Sequence, residues 1–325
     1  MVSAMTLKVF ADIYTIPTAD QRQMFEEAED WIDNLPEGLQ DRISDAVNHA
    51  KHGFFSEIEY LRHVSDTTEK SKYKVEVKNI TGNGNPGMRL YKAQDTGKKP
   101  LLVYFHGGGW SVGSIDTTDK FCRAVASDGN VNIISIEYPL APENPYPSAL
   151  IACVEATKGI ISHTAELGIE VSGFSLGGDG AGANLALATF EALPSDSHIA
   201  SLVMYYPLLT TTGSLDPANK KEYGRGFGFD SRVWEAFTDA YKGEEIKLTK
   251  PLPPTLLISA GRDIIIRSER DFASANGEVT YVEFEDAIHG FITDGHQPTA
   301  FKKAVALTQA FLQNPHMPDH PYKER

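Results

Sequence analysis

Five short, mostly apolar runs set the strongest constraint on this chain: Leu101–Phe105, Val131–Ile136, Val171–Gly177, Leu202–Tyr205 and Thr255–Ser259. Each is too short for a core helix and lacks an exposed face, as a strand does when both faces of its sheet are covered. Helical patterns lie between most of them, including Asp116–Ala126, Tyr146–Ser162 and Ala181–Leu193. Buried strands alternating with helices predict an α/β fold with a doubly wound, mostly parallel sheet. Upstream, Tyr73, Val75 and Val77 alternate with Lys74, Glu76 and Lys78, the pattern of a half-exposed strand. An Asn-Gly-Asn-Pro-Gly turn at 83–87 leads to a second strand around Met88 to Tyr91, so the sheet is expected to open with antiparallel strands.

Residues 1–70 read differently. Thr18 and Gln21 form a capping-box pattern ahead of Met24, Phe25, Ala28, Trp31, Ile32 and Leu35, which recur at helical spacing. Pro36 and Gly38 end that helix, and Leu39, Ile43, Ala46, Val47 and Ala50 make a second amphipathic one. The expected organisation is a helical cap segment over 1–70, a core over 71–313 and a loose tail over 314–325. Within the core, 210–250 interrupts the alternation with a polar, glycine-bearing stretch and a helical pattern from Ser231 to Tyr241. That segment is expected to be a cap insertion over the sheet.

A chain of 325 residues with 41% hydrophobic and 23% charged residues can build a sizeable core without staples. Its formal net charge of -14 argues against nucleic acid or an anionic membrane as a partner. No run is apolar enough, for long enough, to span a bilayer. Met1 to Phe10 lacks the basic start and apolar run of a signal peptide, so a cytoplasmic location is the expectation. Cys122 and Cys153, in apolar helical patterns without metal-ligand spacing, are expected to be buried free thiols.

Chemistry concentrates at strand ends. After the run ending at Phe105 comes His106-Gly107-Gly108-Gly109-Trp110. Three glycines there let the backbone turn sharply and aim bare N–H groups into one space, as an oxyanion hole requires. After the next buried run, the proline-rich stretch from Glu137 to Pro147 reads as a rigid crossing loop with no chemistry of its own.

Between a strand and a helix lies Gly178-Asp179-Gly180-Ala181-Gly182. A nucleophile elbow reads G-x-S-x-G, with small flanking residues allowing the strained turn that presents the central side chain at a helix N-terminus. The frame is intact and its centre is Gly180, which tolerates the backbone but cannot attack a carbonyl. Gly173-Phe174-Ser175-Leu176-Gly177 also fits the pattern, yet a helix beginning at Leu176 would run through several glycines, so Ser175 reads as an ordinary strand residue. Gly178-x-Gly180-x-x-Ala183 fits a dinucleotide fingerprint, but Asp179 would set a carboxylate beside the pyrophosphate and the loop at 106 would go unexplained.

Two further residues follow buried strands: Asp263 just beyond Thr255–Ser259, and His289 in the loop after the strand that opens at Val279. The carboxyl ends of strands form the ligand-binding edge of such sheets. With position 180 they give the chain order nucleophile, acid, histidine.

Together His106-Gly-Gly-Gly-Trp, Tyr138-Pro-Leu-Ala-Pro-Glu, Gly178-Asp-Gly-Ala-Gly, Asp263 and His289-Gly-Phe resemble the hormone-sensitive-lipase-like esterases, which include bacterial acetyl esterases, over about Tyr73 to Leu312. The resemblance implies an α/β-hydrolase fold and a carboxylic-ester hydrolase preferring short acyl chains. It implies Asp263 as the orienting acid and His289 as general base. It also implies an oxyanion hole from the N–H groups of Gly108, Gly109 and Ala181, with Gly107 adjacent. Trp110 and Asp179 are the candidate substrate-binding residues. The expected partner is a small-molecule ester, with no metal and no organic cofactor, and with homo-oligomerisation left open. The departure is Gly180, where the family carries serine. Either an active esterase has had its nucleophile replaced, or a natural loss has left a small-molecule binding protein. Retention of Asp263, His289 and the glycine loop favours the first, because a binding protein has no use for the pair.

Overall fold

A computed structural model of the chain describes residues 72–80, 87–94, 97–128, 130–211, 215–224, 229, 231–293 and 297–315. The chain divides into two compact units, 1–65 and 66–325, and all described residues belong to the second. The helical segment expected over 1–70, most of the turn at 83–87 and nearly all of the tail lie outside the described residues.

The described chain builds one eight-stranded sheet of order β1-β2-β4-β3-β5-β6-β7-β8. β1 (Glu76–Ile80) and β2 (Met88–Lys92) pair antiparallel, and β2 runs antiparallel to β4 (Asn132–Ile136). The remaining strands, β3 (Lys99–Phe105), β5 (Val171–Asp179), β6 (Ile199–Tyr205), β7 (Thr255–Arg262) and β8 (Val279–Ile288), are all paired in parallel. The sheet is therefore the mostly parallel α/β sheet, with antiparallel strands at its start, that the apolar runs predict. β4 is buried at every position and β3 over its last five, as strands covered on both faces must be.

Helices α1 (Asp119–Asp128), α2 (Ser148–Ser162), α3 (Ala181–Ala192), α4 (Pro217–Tyr223), α5 (Ser231–Tyr241), α6 (Ile266–Ala275) and α7 (Pro298–Gln313) make the connections among the described residues. Phe121 of α1 meets Tyr205 of β6 edge-on at 5.1 Å and Phe301 of α7 at 5.9 Å, which fixes both helices on one sheet face. In α7, Phe301, Ala304, Leu307, Thr308 and Phe311 form a buried stripe at helical spacing. The Thr308 hydroxyl in that stripe is hydrogen-bonded to the Tyr205 hydroxyl. α3 is buried on almost every side, which suits a helix wedged between the sheet and α2.

The 210–250 segment leaves the sheet after β6, forms α4 and α5, and returns at β7. Asp216 caps α4 by accepting from the Ala218 and Asn219 amides at 2.9 and 3.0 Å, with Pro217 in the first turn where no donor is lost. Several elements run further than the apolar pattern indicates. β5 continues through Gly178 and Asp179, and β7 through Ala260, Gly261 and Arg262. The expected helix from Asp116 begins instead as a 3-10 turn at Ile115–Thr118 with a Ser114 capping box. No described helix is long and apolar enough to cross a membrane.

Candidate active site

Strand register explains how residues distant in sequence meet. In the parallel pair β7–β8, Arg262 lies opposite Ile288, so the next residues, Asp263 and His289, leave the sheet side by side. His289 Nδ1 is 2.6 Å from Asp263 Oδ2. With Nδ1–H donated to the carboxylate, the imidazole presents Nε2 as its acceptor. The register shifts between Ala260 and Arg262, and a side chain on Gly261 would drive a Cβ to 2.4 Å from the Glu285 carbonyl oxygen. The glycine is thus required by the close approach of β8.

The same logic operates at the centre of the sheet. Phe105 of β3 lies opposite Gly178 of β5, which brings the loop after β3 against the end of β5. The Gly107 N–H donates to Asp179 Oδ1 at 2.9 Å, and the Tyr104 hydroxyl donates to the same oxygen at 2.8 Å. Asp179 is buried, and desolvation pushes its carboxyl up to about 6 against the lowering effect of the Tyr104 and Gly107 hydrogen bonds. It acts on the loop from beneath.

Gly180 joins β5 to α3 with φ 52° and ψ −114°, a conformation strained for any residue with a side chain. Its backbone is held on both sides. The Gly180 N–H donates to the Tyr205 carbonyl at 3.0 Å, and the Gly180 carbonyl accepts from Asn184 at 3.2 Å and Leu208 at 3.1 Å. A Cβ built on Gly180 would meet His289 Nε2 at 3.3 Å and Cε1 at 3.8 Å. Its neighbours in the motif differ sharply. A Cβ on Gly178 would lie 2.4 Å from backbone atoms of Phe105 and Gly182, and one on Gly182 would lie 1.9 Å from the Phe105 carbonyl oxygen. Two glycines are forced by packing; among the described residues, the central one faces only the histidine. Position 180, Asp263 and His289 are therefore brought together, with His289 between the other two.

Ser175 lies inside β5, four residues before its end, and its Oγ is 2.8 Å from Ser201 Oγ in the core. It does not reach the strand's carboxyl edge.

Gly108 (φ 113°), Gly109 (φ 56°) and Trp110 (φ 59°) turn left-handed in succession, which folds the loop back towards the elbow. Trp110 is fully buried and stacks on Tyr241 of α5 at 4.5 Å, with the rings only 3° from parallel. Its indole supports the loop rather than reaching into open space. Ala181 opens α3, whose aligned amides add a positive dipole end to the same region.

Other residues at this site carry no motif in the sequence. Tyr206, with a strained φ of 34°, places its ring 4.6 Å from His289, and Phe229 stacks on His289 at 4.3 Å. Phe237 of α5 covers Gly109 so closely that a Cβ there would fall 1.9 Å from its ring. The proline-rich loop braces the glycine loop through two hydrogen bonds. The Ala141 N–H donates to the Trp110 carbonyl at 2.9 Å, and the Tyr138 hydroxyl to the His106 carbonyl at 2.6 Å. His106 stacks on Tyr138 at 4.2 Å and is fully buried, so its imidazole is pushed down to about 4 by desolvation and stays neutral. Fully buried Glu269 of α6 is pushed well above the usual carboxylate range by desolvation and then by the charge of Asp263. Among the described residues, no group of three or more His, Cys, Asp or Glu could hold a metal ion.

Residues 102–293 match the protein family described as alpha/beta hydrolase fold. The chain is 29% identical over 237 residues to Esterase LipI of Mycobacterium tuberculosis, covering 66% of this chain and 73% of that protein. It is 28% identical over 250 residues to an Acetyl esterase of Salmonella schwarzengrund, covering 71% of each. An esterase structure from Pyrobaculum calidifontis superposes with a TM-score of 0.67 at 26% identity, over 79% of this chain and 89% of that one.

Proposed function

The chain belongs to the alpha/beta hydrolase fold family, and on that premise we propose that it is a carboxylic-ester hydrolase for short acyl chains whose nucleophile position is held by Gly180. One observation carries the reading. The side-chain direction of Gly180 points at His289 Nε2, at 3.3 Å, while His289 Nδ1 holds Asp263 at 2.6 Å. The esterase names of the relatives support it.

A serine at 180 would attack the ester carbonyl as His289 takes its proton, and the imidazolium would return that proton to the leaving alcohol. Asp263 fixes the tautomer and steadies the charge on the ring. The oxyanion would form against the N–H groups of Gly108, Gly109 and Ala181. Gly107 is left out of that set, since its N–H is taken by Asp179. Water then hydrolyses the acyl-enzyme. In this chain the serine route is closed.

The test is Gly180→Ser, assayed on p-nitrophenyl acetate and butyrate. Loss of the nucleophile in such enzymes costs about a millionfold in kcat, so hydrolysis should rise by several orders of magnitude. A folded Gly180→Ser protein without esterase activity would overturn the proposal and favour a small-molecule binding role.

A further inference from the structure

Among the described residues, the only atoms within 4 Å of a Cβ built on Gly180 belong to His289. The nearest atoms to a Cβ at this position are His289 Nε2 at 3.3 Å and Cε1 at 3.8 Å. Asp263 still accepts from the other ring nitrogen at 2.6 Å, so Nε2 faces the space as a proton acceptor. The amides of Gly108, Gly109 and Ala181 do not depend on the missing side chain. General base and oxyanion donors are two of the three parts of acyl transfer; the third is a nucleophile, which can come from outside.

We propose that the chain as it stands transfers acyl groups directly from short-chain esters to an external hydroxyl nucleophile of one or two heavy atoms, water or methanol, without an acyl-enzyme. This rests on the esterase reading for the acyl site. His289 Nε2 takes the hydroxyl proton as the nucleophile's oxygen bonds to the acyl carbon and the carbonyl pair moves to oxygen. The pair returns, the bond from acyl carbon to the ester's alkoxy oxygen breaks, and the leaving alkoxide takes the proton back from His289. Ester plus methanol gives methyl ester plus alcohol, with no redox change and the histidine regenerated.

Size selects the nucleophile. A serine would place Cβ and Oγ in this space, and water or methanol brings one or two heavy atoms to it. An external molecule must also stand off from Cα at van der Waals distance, which disfavours anything larger. Positioned general-base catalysis contributes about 10²–10⁴-fold, far less than the complete triad, and that sets the scale of the effect.

The experiment uses the full chain with p-nitrophenyl butyrate and increasing methanol at pH 7.5. Both p-nitrophenol release and methyl butyrate are measured. Release should rise linearly with methanol, because methanol enters the first chemical step; an acyl-enzyme limited by its formation would change products without changing that rate. tert-Butanol at equal concentration should give no increase. His289→Ala should lose at least about a hundredfold of the methanol-dependent rate. Asp263→Asn reads the same dependence should the first variant fail to fold. Gly180→Ala, whose methyl takes the space, should lose the methanol-dependent rate without gaining hydrolysis. Release indifferent to His289→Ala and Gly180→Ala, whether or not it rises with methanol, would overturn the inference. An active Gly180→Ser protein beside a parent chain with no His289-dependent transfer would overturn it while leaving the esterase reading intact. An inactive Gly180→Ser protein would instead remove the reading beneath it.

Discussion

A Cβ on Gly180 would stand 3.3 Å from His289 Nε2, so the central position of the elbow is aimed at the one imidazole nitrogen that Asp263 does not occupy. The arrangement makes the effect of the acid separable from that of the nucleophile. In a Gly180→Ser background, Asp263→Asn should keep the fold but favour the wrong histidine tautomer, lowering kcat by about 10⁴. Steady-state kinetics on a p-nitrophenyl ester checks this. A loss below tenfold would mean that Asp263 is not the residue that orients His289.

The three glycines of Gly178-Asp-Gly-Ala-Gly should respond unequally to alanine. At Gly182 the new methyl would press into the Phe105 carbonyl at 1.9 Å and the His106 carbonyl at 2.5 Å, and neither is a flexible group. Overpacking against backbone should cost about 3 kcal/mol or more. At Gly180, among the described residues, the methyl meets only the histidine side chain at 3.3 Å, which can give by a few tenths of an ångström, and the main cost is the strained backbone, about 1–3 kcal/mol. Chemical denaturation of the two variants gives the comparison; equal losses would contradict the packing argument.

The sequence displays most of the sheet because parallel strands buried on both faces leave apolar runs, and β3, β4 and β6 appear where those runs lie. It understates β5 and β7 for a physical reason. Their last residues include Gly177, Gly178 and Gly261, poor strand formers by propensity, yet each is needed because a neighbouring backbone comes within 2.7 Å of where its Cβ would be. Chain order and strand ends place Asp263 and His289 at neighbouring strand ends, and parallel register turns "next after a strand" into "adjacent in space". Asp179 and Trp110 show what such reading lacks. Both sit in motif positions and suggest contact with a ligand, and their partners, Tyr104 in β3, Gly107 in the glycine loop and Tyr241 in α5, are distant in sequence and linked to them by no local pattern. Phe229 and Phe237 carry only a weak trace, aromatic residues in an otherwise polar insertion.

Ser175 provides a check on the register of the elbow. Its hydroxyl is spent on Ser201 in the core, 2.8 Å away. Ser175→Ala in the Gly180→Ser background should therefore cost stability, about 1 kcal/mol for a lost buried hydrogen bond, and leave kcat/KM within severalfold. Paired thermal melts and kinetics read both effects. A thousandfold loss of kcat/KM at unchanged stability would identify Ser175 as the nucleophile instead.

Asp179 should give the molecule a measurable pH signature. Desolvation raises its carboxyl from 3.8 to about 6 in the folded chain. A raised value means that the folded state holds the proton more tightly than the unfolded state. The stability linked to this group is thus fully present below 3.8 and lost as pH rises through about 6. His106 acts in the opposite sense, since its depressed value of about 4 contributes stability above the ordinary histidine range that is lost as pH falls. Asp179→Asn isolates the first effect. The Tyr104 hydroxyl and Gly107 N–H both donate to Oδ1, at 2.8 and 2.9 Å, and the amide oxygen of asparagine can accept both. The variant therefore keeps the tether while removing the titration. Denaturation of both proteins from pH 4 to 8 should show the variant gaining on its parent between about 4 and 6, by up to roughly 3 kcal/mol, with a constant difference above that. The His106 contribution is common to both and cancels. A difference that does not vary with pH would mean that Asp179 is already ionised at pH 4 and that its hydrogen bonds, rather than its burial, decide its charge.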